Sequence, residues 1–83
     1  MSLDALKTAK KVIGVKQVTK AVTKGIAETV FVAADADKRV IQPLVEVCSR
    51  HSIAVEEVPS MIELGQACSI EVGAAAAAIV KQG

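Results

Sequence analysis

Lys16, Lys20 and Lys24 recur every fourth residue in the segment from Gly14 to Gly25, with Gln17 beside the first of them. At about 100° per residue the three lysines line one side of a helix, while Val15, Val18 and Val22 gather on nearly the opposite side. The chemistry open to such a stripe is anion binding, by ammonium groups together with the amides of a helix start. Gly14 lets a backbone or ligand come close to that start, and Gly25 supplies the positive φ that commonly ends a helix. Solvation of an exposed face explains lysines equally well, and charge alone does not choose between the two.

Catalytic chemistry finds less support. Cys48 and His51 are three residues apart, which on a helix puts thiol and imidazole on neighbouring turns. No third orienting group or oxyanion motif accompanies them. Two cysteines and one histidine do not make a structural zinc site, and no GxxxxGK phosphate loop is present, so no metal, cofactor or enzymatic activity is expected. Cys48 and Cys68 lack CxxC spacing and no secretory signal precedes them. They read as small buried apolar residues in a reducing, cytoplasmic setting. The apolar run from Ala74 to Val80 is far shorter than the roughly 20 residues of a membrane span.

The elements that must position the stripe can be read along the chain. Ser2 is expected to cap a first helix through about Lys11, with Leu3, Leu6 and Ala9 inward. The lysine helix follows. Thr29 to Ala34 is β-branched and aromatic enough for a buried strand, closed by the turn Asp35-Ala36-Asp37. Asp37 then caps a helix over about Lys38 to His51, with Val40, Ile41, Leu44, Val45 and Val47 on a broad apolar face. Pro43 is expected to kink this helix or mark its effective start. Ile53 to Val58 forms a second strand, stopped by Pro59. Ser60-Met61-Ile62-Glu63 is a capping box opening a short helix that Gly65 closely follows, with a turn ending by Ser69. From Gly73 to Val80, five consecutive alanines favour a helix in isolation, whereas the alternation of elements calls for a strand. The strand is preferred, because small side chains in a central strand let helices pack close on both faces. Ile70-Glu71-Val72-Gly73 puts two branched apolar residues in the connection before it, where such side chains either pack down or meet a partner.

Composition narrows the partner. The 83 residues are 52% hydrophobic but supply one aromatic, Phe31, inside a Val-rich segment. A single small domain with thin, closely packed layers is expected, and a base-stacking platform is not. Net charge is only +1, yet Lys7, Lys10, Lys11, Lys16, Lys20 and Lys24 face Asp4 alone in the first 24 residues. The remainder is acidic. Such asymmetry is the footprint expected of a protein that meets a polyanion through charge, hydrogen bonds and aliphatic contacts.

Gly14-x-Lys16-Gln17-x-x-Lys20-x-x-x-Lys24-Gly25, Val58-Pro59-Ser60, Leu64-Gly65 and Ile70-Glu71-Val72-Gly73-Ala74-Ala75 resemble, in order and spacing, the kink-turn RNA-binding ribosomal proteins of the L-seven-Ae family. The similarity covers nearly the whole chain, and the short N-terminus makes it most like the small bacterial branch. The resemblance implies a three-layer α/β/α sandwich around a mixed four-stranded sheet. It also implies a short strand near Val12 and Ile13 and a strand for the alanine run. Function is implied too: a monomer that stabilises kink-turns in structured RNA, associated with the ribosome or a riboswitch. In the family the helix after the first glycine enters the major groove at tandem sheared G·A pairs, and the later loop covers bulged nucleotides. Carried onto this chain, the RNA-binding residues are Gly14, Val15, Lys16, Gln17, Lys20, Lys24, Ile70, Glu71, Val72 and Gly73. Lys16 and Gln17 stand where the archaeal pattern has Asn and Glu, which shifts weight toward electrostatics. Those departures keep open an alternative, a protein-interaction module that retains the fold without binding RNA. The two readings divide on whether the lysine helix and the Ile70 to Val72 loop lie together or on opposite sides.

Overall fold

The computed structural model describes residues 5–81, so the expected cap at Ser2 and the inward Leu3 lie outside the described residues. Helix α1 (Ala5–Thr8) buries Leu6 completely and ends earlier than expected. Lys11–Ile13 are taken instead by strand β1, whose backbone pairs with the last strand, Lys11 against Ile79 and Ile13 against Ala77. The lysine segment is helix α2 (Val15–Thr23), followed by β2 (Ala27–Ala33), α3 (Lys38–Arg50), β3 (Ala54–Val58), α4 (Met61–Ala67) and β4 (Ala76–Val80). The strand order is β1-β4-β2-β3, with β4 antiparallel to both neighbours and β2 parallel to β3. The sheet is therefore mixed and four-stranded, as expected.

The alanine run is a strand because its position overrides its propensity. Alanine's helical advantage is at most about 0.7 kcal/mol per residue over ordinary residues, whereas β4 satisfies its backbone against strands on both sides. Ala76, Ala77 and Ala78 are completely buried. Alternation along the strands divides the core into two layers. Val30 and Val32 of β2 and Ala76, Ala78 and Val80 of β4 pack with Val18 and Val22 of α2 and Leu44 and Cys48 of α3. On the other face Phe31 and Ala77 pack with Leu6 of α1, Leu64 and Ala67 of α4, and Cys68. Helices thus cover both faces, and the architecture is an α/β/α sandwich.

Two details of α3 differ from expectation. Pro43 lies inside the helix and does not mark its start, which is at Lys38; the proline is exposed, and its missing amide costs one ladder bond. The apolar face is also narrower: Ile41, Leu44, Val47 and Cys48 turn to the core, while Val40 and Val45 are exposed. Asp37 does cap the helix, its carboxylate accepting from the Arg39 amide at 2.9 Å and meeting the Arg39 guanidinium at 3.3 Å. That amide, and then that guanidinium, hold the Asp37 carboxyl below the usual carboxylate range.

At α4 the Ser60 hydroxyl accepts from the Glu63 amide at 3.1 Å, the first half of the expected capping box. The Glu63 carboxylate accepts from that same hydroxyl at 3.4 Å. Gly65 does not follow the helix but sits within it, for a reason that belongs to the site.

Candidate nucleic-acid interface

Helix α2 begins at Gly14, whose φ of 100° and ψ of 144° lie in a region open mainly to glycine. Its amide donates to the Ala76 carbonyl at 2.9 Å, and its carbonyl accepts from Val18 at 2.9 Å. No side chain caps this end and no acid occupies its first turn. The amides of Val15, Lys16 and Gln17 therefore have no intrahelical acceptor, and the positive end of the helix dipole is uncompensated. Val18 and Val22 are fully buried and Val15 is half-buried, whereas Lys16, Gln17, Lys20 and Lys24 are all exposed. The stripe and the core face are those expected.

The lysines cost the free protein stability. Lys16, Lys20 and Lys24 are like charges at i, i+4 spacing, each pair opposing the helix by about 0.2–0.5 kcal/mol. Lys16 also stands in the first turn, where a cation opposes the dipole. An anion against this face relieves both penalties.

The loop between α4 and β4 is seated on α4. Ile70 donates to the Gly65 carbonyl and Ala74 to the Met61 carbonyl, both at 3.0 Å. Ser69, at a φ of 63°, turns the chain out of the helix. A Cβ at Gly65 would run into the Val72 carbonyl, and one at Gly73 would sit 3.1 Å from the Met61 Cβ. Gly65 is thus needed for the loop to lie against the helix, a role that its place in the sequence did not reveal. The two aliphatic side chains of the loop divide. Ile70 packs against the core shared by Phe31 and Leu64, while Val72 is 70% exposed, with Glu71 and Gly73 also exposed.

Pairing of the strands brings these parts to one end of the sheet. The bond from Gly14 to Ala76 ties the start of α2 to the start of β4, directly after the loop, and Ala33 at the end of β2 donates to Ala75 at 2.9 Å. Lys16 and Gln17 stand in the first turn at this end. Lys20 lies about 6 Å and Lys24 about 12 Å further along the axis. Lys24 is the C-cap, toward the opposite end, where Lys81 donates to the Ile26 carbonyl. The helix start and the loop thus share one end of the sheet, and Lys24 is set toward the other.

The Cys48 and His51 pair has no comparable geometry. Cys48 is fully buried, and burial pushes its thiol up, whereas His51 is an exposed C-cap. Burial also raises the Cys68 thiol, against an opposing pull from Lys11. Among the described residues there is no group of three or more potential metal ligands, and no helix long and apolar enough to cross a membrane.

The model of the Ribosomal protein L7Ae/L30e/S12e/Gadd45 family matches residues 2–83. The chain belongs to this family. Among its L7Ae-type relatives, an RNA-binding protein of Geobacillus sp. (strain WCH70) is 43% identical over 76 residues, spanning 92% of this chain and 93% of the relative. The large ribosomal subunit protein eL8 of Haloquadratum walsbyi is 38% identical over 87 residues, spanning 99% of this chain and 72% of that protein. Among solved structures, the Giardia lamblia 15.5kD RNA binding protein superposes with a TM-score of 0.88 at 30% identity, over 96% of this chain and 71% of that one. The L7Ae family resemblance and the fold it implied therefore both stand.

Proposed function

We propose that this protein is a non-enzymatic RNA-binding protein of the L7Ae family that recognises kink-turns and holds them in the kinked form. RNA binding is supported by the family and by relatives that are themselves RNA-binding proteins. The observation that supports the finer reading is the hydrogen bond from Gly14 to Ala76, which ties the uncapped start of the lysine helix to the strand that follows the 70–73 loop, at the same end of the sheet. The first-turn amides, Lys16 and Gln17 meet the guanine edges of the sheared G·A pairs, Lys20 meets phosphate, and Val72 covers an extruded base. Glu71 and Gly73 shape the loop backbone, and Lys24 adds longer-range attraction. Kinking brings phosphates together at an electrostatic cost, and a protein that binds only the kinked form shifts the population toward it. Ribosomal RNA or a structured leader supplies such a motif, and eL8 is itself a ribosomal protein.

Fluorescence anisotropy with a kink-turn RNA, and with a control whose sheared G·A pairs are replaced by Watson–Crick pairs, tests this reading. Tight binding to the first and weak binding to the second is the expected result, and equal affinities would refute shape recognition. In the same assay Lys20→Ala is expected to reduce the slope of log affinity against log salt by about one unit. An unchanged slope would exclude Lys20 as a phosphate contact.

A further inference from the structure

Asp35 lies in the turn between β2 and α3, which is anchored on both sides: Ala34 donates to the Val58 carbonyl at 2.7 Å and Ala36 to the Ala33 carbonyl at 3.2 Å. From this fixed position the Asp35 carboxylate accepts from the Met61 amide at 2.8 Å, across 26 residues of sequence. Met61 is the first residue of α4, and its carbonyl accepts from Ala74 at the end of the loop. One peptide unit on each side of Met61 therefore joins the Asp35 turn to the loop. Ser60 caps a different amide, that of Glu63, so the Asp35 bond does not duplicate it.

We infer that Asp35 is a positioning residue for the 70–73 loop, acting through the backbone of Met61. It fixes where α4 starts relative to the sheet, and the loop, seated on Met61 and Gly65, follows. The role needs an acceptor oxygen and not a negative charge. Facing a polyanion, the charge itself is unfavourable, so an electrostatic role and a positioning role predict opposite things. The coupling stands on the hydrogen bonds alone, while its consequence for RNA rests on the kink-turn reading above.

Asp35→Ala and Asp35→Asn separate these possibilities, because asparagine keeps an acceptor oxygen and both remove the charge. Amide exchange measured by NMR on the free protein is expected to be about fivefold faster at Ala74 in Asp35→Ala, as for loss of a helix-start bond. Amides of β4 should be unchanged in both variants, and Ala74 in Asp35→Asn should exchange as in the wild type. With a kink-turn RNA carrying 2-aminopurine at a bulged position, Asp35→Ala is expected to lose the fluorescence change on binding and Asp35→Asn to keep it. Alanine and asparagine variants that behave alike in exchange would overturn the inference. An exchange difference without any fluorescence response from the wild type would support the coupling and refute the RNA reading.

Discussion

Lys16→Glu is expected to stabilise the free protein and to cripple its RNA binding, two effects of opposite sign from one exposed residue. The substitution places a carboxylate in the uncapped first turn of α2, where it complements the helix dipole by about 0.3–1 kcal/mol. It also turns a repulsive pair with Lys20 into an attractive one, acid preceding base at i, i+4 spacing, for a further few tenths of a kcal/mol. At about 4–8 °C per kcal/mol in a domain of this size, the melting temperature should rise by a few degrees. Against RNA, a charge-assisted contact worth about 1.5–3 kcal/mol is lost, so affinity for a kink-turn should fall by at least about tenfold. Thermal melts and anisotropy titrations on one preparation read both numbers. A variant that gained stability and kept its affinity would show that Lys16 only solvates the helix.

Gly65→Val is expected to have the largest effect on stability. Its Cβ is directed at the Val72 carbonyl, and a backbone group cannot swing aside as the end of a flexible side chain can. Overpacking of this kind costs about 1–3 kcal/mol. The corresponding fall in melting temperature, at about 4–8 °C per kcal/mol, is a substantial part of the stability of so small a domain. Replacement of glycine within a helix would by itself favour the fold, so the sign of the change isolates the clash. A variant melting at or above the wild type would contradict the seating of the loop on α4.

How far the sequence discloses this molecule depends on whether each residue's role is local. The lysine helix, its glycine ends and the Asp37 cap are set by side-chain period and nearest neighbours, and they stand as expected. The segment from Ala76 to Val80 is ambiguous in sequence because local propensity and tertiary pairing disagree there. Resemblance to a family resolves it, as it resolves β1, whose three residues carry too little periodicity to be seen. The α3 face is narrower than its hydrophobicity suggests, because composition does not say which valines the sheet is wide enough to cover. Gly65 and Asp35 are hidden for a single reason. Each acts on backbone atoms distant in sequence, a carbonyl in one case and an amide in the other. A glycine next to a leucine gives no sign of a loop lying against it, and an aspartate in a turn is already explained by the turn.

Shape selection by the paired helix start and loop is the central claim, and end-to-end distance in the RNA tests it most directly. A kink-turn RNA labelled at both helical ends should show energy transfer that rises and saturates as the protein is titrated to micromolar concentration, while the control with Watson–Crick pairs in place of the sheared G·A pairs stays extended. No compaction of the kink-turn RNA over that range, or equal compaction of the control, would contradict it.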